Sequence, residues 1–102
     1  MAETMFGAIT KVKIKPGEER ALRQALTKIE RENDLIGEGL SSAYLIKSND
    51  EADTFYLVTT FQSEEALKTY DQQREQRMQV LQNVITAPPE RHVGQIDWTI
   101  EG

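Results

Sequence analysis

His92 is the one side chain here whose ordinary pKa lies near neutrality, so by type it is the readiest general base. Tyr44, Tyr56 and Tyr70 can each donate a hydrogen bond to a phenolate or quinol oxygen. Tyr70 stands apart by spacing. Arg74 follows it by one helical turn, in a stripe with Leu67, Met78, Leu81 and Ile85, so a guanidinium would face the same cavity as the phenol and orient an anionic ligand there. Trp98 offers a flat platform for a ligand, or equally a plug for a core or an interface. A structural use competes for each residue: His92 can begin an exposed strand after Pro88-Pro89, the Arg74 stem can run out to solvent, and a half-buried tyrosine can complete the face of a strand or helix.

The rest of the composition removes other chemistries. No cysteine is present, which excludes disulfides, thiol catalysis and thiolate metal sites, and one histidine cannot furnish a multi-histidine zinc or iron centre. No metal and no cofactor are therefore expected. The net charge of −5 argues against a nucleic-acid surface, and Lys11, Lys13 and Lys15 alternate as a solvated strand edge would. No apolar run approaches the roughly 20 residues that cross a bilayer, and the N-terminus lacks a charged-then-apolar leader, so a cytoplasmic location without membrane contact is expected. The 102 residues, 38% hydrophobic and 28% charged, suit one small globular domain over 1–102.

The elements that must position these residues follow from periodicity. Met5 to Ile14 alternates as a strand, with Phe6, Ala8, Thr10, Val12 and Ile14 on one face. Lys15-Pro16-Gly17 reads as a turn. The helix after it carries Leu22, Ala25, Leu26 and Ile29 on one stripe. Leu40–Lys47 and Thr54–Phe61 read as two strands of a hairpin. Ser63 is placed to cap a second helix, with Glu64 and Glu65 in its first turn, and the apolar stripe carries that helix to about Ile85. Arg91 to Ile100 alternates again as a last strand. The order β-α-β-β-α-β predicts a ferredoxin-like α+β fold with an antiparallel four-stranded sheet. Two helices cover one sheet face, yet Tyr44, Ile46, Tyr56 and Val58 make the other face apolar as well. A second copy of the chain, packed sheet to sheet as a homodimer, is the expected cover.

Three stretches, TKVKIKPG, GLSSAYLIKS and TFYLVTTFQSEEALKTY, resemble the antibiotic biosynthesis monooxygenase (ABM) family of dimeric α+β barrels, over roughly residues 6 to 81. The resemblance implies a cofactor-independent oxygenase of quinols or electron-rich aromatics. The family also includes haem-degrading enzymes and members without known activity, so a non-catalytic dimeric ligand-binding or interaction module is the alternative. Tyr70 stands where the family often carries a pocket-facing His or Trp, and Phe61 where it commonly carries Trp. Thr59 replaces a frequent Glu, and Ala66 stands near the Asn of the polyketide oxygenases. Thr10 lies near the first-strand Asn of the haem-degrading branch, and Val80 near its haem-ligand His. These departures argue against haem degradation. The expected site thus pairs Tyr70 and His92 as catalytic groups with Phe61, Arg74, Thr10 and Trp98 as ligand-binding groups, around a small aromatic molecule.

Overall fold

β1 (Phe6–Lys13), at the centre of the sheet, carries the alternation that organises the chain. In the computed structural model, which describes residues 4–100, Ala8 and Val12 of this strand are buried beneath helices while Ile9 between them is exposed. The turn that follows is closed by the Glu18 amide donating to the Lys15 carbonyl, with Pro16 at its first corner and Gly17 at φ 83 at its second. Only glycine takes that second corner without strain. Helix α1 (Glu19–Glu32) then buries Leu22, Ala25 and Ile29, the stripe read from the sequence. On its wet side Glu19 holds both Arg23 at 3.1 Å and Lys47 of the next strand at 3.2 Å.

β2 (Leu40–Lys47) and β3 (Thr54–Phe61) form the expected hairpin, antiparallel and in continuous register except for a bulge between Leu40 and Ser42. β4 (Glu90–Gln95) completes a four-stranded antiparallel sheet in the order β2-β3-β1-β4. This is the ferredoxin-like arrangement. The last strand is shorter than its alternation suggests. Gln95 pairs with Phe6, the first residue of β1, so beyond it the sheet has no neighbour to offer. One further contact, from the Ile96 amide to the Met5 carbonyl, ends the pairing.

The second helical segment also departs from expectation. A single helix to about Ile85 is replaced by α2 (Glu64–Asp71) and α3 (Arg74–Leu81), and Ile85 instead bridges to Ile14. No glycine or proline marks the break. The Tyr70 carbonyl accepts the Gln73 amide at 3.3 Å in a tight turn, and the Arg77 guanidinium donates to the same oxygen. A side chain thus satisfies a carbonyl that the interrupted helix leaves short of partners.

The start of α2 follows the sequence closely. The Ser63 hydroxyl oxygen accepts the Ala66 amide at 3.1 Å. Ser63→Ala should therefore lower stability by about 1 kcal/mol, read as a reduced midpoint in urea unfolding with an unchanged slope. Gly39, at φ 107, brings the preceding loop against this helix, where an added Cβ would sit 2.5 Å from that of Ala66.

The interior forms two clusters. Val12, Ile14, Leu22, Ala25, Phe55, Leu81 and Val84 pack at one end, and Ala8, Leu40, Phe61, Ala66 and Leu67 at the other. The opposite face of the sheet is bare in the single chain: Ile9, Tyr44 and Ile46 are 49%, 61% and 51% exposed.

Candidate active site

Between sheet and helices lies a cavity of about 580 Å³. Its floor is the inner face of the sheet, including Thr10 and Val12 of β1, Leu57 and Thr59 of β3, and Arg91 of β4. Leu22, Leu26 and Ile29 of α1 form one wall; Tyr70 of α2 with Arg74, Arg77 and Met78 of α3 form the other. The turn after α1, from Asn33 to Ile36, stands at its edge. The lining is mostly apolar with a few polar groups, the usual make-up of a small-molecule site.

Tyr70 is fixed from two sides. Its ring meets the fully buried Phe61 at a centroid separation of 5.0 Å and an interplanar angle of 57°, a tilted aromatic pair. The Arg77 guanidinium lies 3.5 Å from the ring centroid on a cation–π contact. Arg77 thus holds the residue by its ring and by its carbonyl. Among the described residues no side chain or backbone group bonds the Tyr70 hydroxyl.

Three guanidinium groups border this wall. Arg91 places Nη2 2.6 Å from Asp71 Oδ1, tying β4 to the end of α2. The contact is one of charge more than direction, since neither buried atom makes a well-aligned hydrogen bond. Burial is the largest influence on Arg77 and lowers its pKa from the ordinary value. Tyr70 opposes this, Arg91 adds to it, Asp71 opposes it and Arg74 adds to it. A guanidinium begins so far above neutrality that Arg77 remains cationic at pH 7.

Of the residues singled out in the sequence, the fold brings Tyr70, Arg74 and Thr10 to the cavity and packs Phe61 behind Tyr70. It does not bring His92 there. The register sets His92 opposite Ile9, on the bare side of the sheet, while its neighbour Arg91 sits opposite Thr10 on the cavity side. Trp98, 76% exposed beyond the end of β4, is also away from the cavity. The residues that sequence reasoning passed over are Arg77, Arg91 and Asp71. Arg77 had a signal, lying seven residues after Tyr70 and so on the same helical face. The pairing of Asp71 with Arg91 had none, because it spans twenty residues and depends on how β4 returns to the sheet.

Among the described residues no group of three or more His, Cys, Asp or Glu side chains converges as a metal site would. No imidazole or thiolate lines the cavity, so its donor set does not fit a histidine-ligated haem.

Comparisons with known proteins bear on the fold. A family model described as antibiotic biosynthesis monooxygenase matches residues 5–82, most of the chain. No curated protein matches it. Among solved structures, a protein of unknown function from Nitrosomonas europaea is similar at 17% identity, covering 100% of this chain and 98% of that one with a TM-score of 0.76. SnoaB, a cofactor-independent oxygenase from Streptomyces nogalater, is similar at 12% identity, with 97% and 99% covered and a TM-score of 0.69. A heme-degrading protein from Mycobacterium tuberculosis is similar at 12% identity, with 98% and 99% covered and a TM-score of 0.67.

Proposed function

We propose, from the premise that this chain belongs to the antibiotic biosynthesis monooxygenase family, that it is a cofactor-independent monooxygenase of a quinol or electron-rich aromatic. The observation that carries the reading is Tyr70, whose hydroxyl has no hydrogen-bond partner among the described residues, on the wall of a mostly apolar cavity beside the guanidinium groups of Arg74 and Arg77. A phenolic substrate bound there loses its proton to water more readily, because the positive field of Arg74 and Arg77 favours its oxyanion. The anion is electron-rich at ring carbon and reduces dioxygen itself. A C–O bond forms to give a peroxide anion, which takes up a proton. The resulting hydroperoxide then loses water to leave a new carbonyl. One oxygen atom ends in the product and one in water, and all four electrons come from the substrate. Tyr70 donates a hydrogen bond to the substrate oxygen, Arg74 orients it, and Phe61 and Thr10 shape the enclosure.

His92 has no position in this step within its own chain's cavity. A second reading, a ligand-binding module without catalysis, is favoured by Thr59 and Ala66, which stand where the family resemblance leads one to expect an acid and an amide. An oxygen electrode separates the two. Substrate-dependent oxygen uptake from a panel of hydroquinones is expected, and binding without uptake for every member of the panel would exclude the oxygenase.

The reading includes a homodimer through the bare sheet face, supported by the exposure of Ile9, Tyr44 and Ile46. Sedimentation velocity at micromolar concentration should give a dimer, and Ile46→Asp should shift it toward monomer. A monomeric wild type would refute this pairing.

A further inference from the structure

At the junction of α2 and α3, Arg74, Arg77 and Arg91 line one end of the cavity, and the carboxylate of Asp71 lies beside them outside the lining. Arg91 takes that carboxylate. Among the described residues neither Arg74 nor Arg77 has a carboxylate within ion-pair distance, so two positive charges stand uncompensated there. The chain as a whole carries −5. Arg77 is also half-buried, held between the Tyr70 ring and the Tyr70 carbonyl. The like charges of Arg74 and Arg91 bear on the half-buried Arg77, and an incoming anion relieves that repulsion.

Two carboxylates line the cavity itself, Glu30 and Asp34, but they come from the end of α1 and the turn after it. Asp34 is already engaged, accepting the Gly37 amide at 3.1 Å. Neither is paired with Arg74 or Arg77. The arginine end therefore keeps its sign.

We propose that this end of the cavity is a carboxylate subsite, so that the ligand is an aromatic acid whose carboxylate is received by Arg74 and Arg77 beside the Tyr70 ring. A carboxylate is the group this cluster already accepts, in Asp71, and the flat fork of a guanidinium matches it with two parallel donors. Arg77 is the inner partner, and Arg74, more exposed, closes over the anion from the mouth. The proposal rests on the oxygenase reading for the nature of the ring, and on the charge arrangement alone for the acid.

Titration calorimetry with 2,5-dihydroxybenzoate, and with 2,5-dihydroxybenzamide as its neutral counterpart, tests it on the wild-type chain. The acid should bind at least about tenfold more tightly than the amide at low salt, and the difference should shrink as salt is added. Arg74→Gln, a change at an exposed position, should reduce the preference severalfold while leaving the thermal midpoint in place. Equal binding of acid and amide, or binding of neither, overturns the subsite. Preference for the acid with no oxygen uptake from any quinol supports the subsite and removes the oxygenase. Oxygen uptake without preference for the acid removes the subsite alone.

Discussion

Tyr70→Phe is expected to lower quinol-dependent oxygen uptake by about 10²–10³-fold, the usual effect of removing one preorganised donor from a developing oxyanion. The substitution is close to a single-atom test. The phenylalanine ring keeps the tilted contact with Phe61 and the face presented to Arg77, and no internal hydrogen bond of the hydroxyl is lost. Thermal stability should therefore change little, so a fall in rate would report on the hydroxyl alone. The loss should appear mainly in kcat, because the donor acts on charge that develops during the reaction, with a smaller change in KM. An unchanged rate would remove Tyr70 from the mechanism and leave the guanidinium groups as the sole polar contribution.

The largest effect on stability should come from Phe61→Ala. Phe61 is 0% exposed and is the largest fully buried side chain among the described residues. It ends β3 with pairings to Phe6 on one side and Leu40 on the other, and it packs in the cluster with Ala8, Ala66 and Leu67. Truncation of a buried phenylalanine costs about 3–5 kcal/mol, a large share of the 5–15 kcal/mol that holds a domain of this size. The space left behind would adjoin the cavity wall, so Tyr70 would lose its aromatic neighbour and Arg77 the rigidity of the ring it covers. Urea unfolding measures the first effect, and a loss below about 1 kcal/mol would contradict the packing described. Phe61→Leu, which keeps most of the volume, should cost much less.

β2 and β3 were readable in the sequence to their end residues because β-branched and aromatic side chains alternate there between polar turns. Ser63 was equally plain, since a capping hydroxyl acts on an amide three residues away and needs nothing from the rest of the fold. The break between α2 and α3 was hidden for the opposite reason. Gln72 and Gln73 are ordinary helix residues, and the turn they make is held by Arg77 reaching back to the Tyr70 carbonyl. The end of β4 was hidden because it is set by where β1 begins. The phase of that strand was equally undecided. Neither His92 with Gly94 nor Val93 with Gln95 forms a clear apolar set, so only pairing with β1 reveals that Arg91, and not His92, faces the cavity. The cavity wall was legible where local helical spacing governs it, at Tyr70 and Arg74, and the neighbouring ion pair was illegible because separate segments meet there, at Asp71 and Arg91.

The division of the interior into two clusters has a mechanical consequence. Helices and sheet border a cleft between the clusters that the protein's own side chains do not fill, so the two ends of the interior meet along β1 and β3, which contribute to both. A molecule seated in that cleft would touch both clusters, through Val12, Leu22 and Leu81 of one and Leu40 and Tyr70 of the other, so binding should couple the two ends and raise the thermal midpoint with ligand concentration.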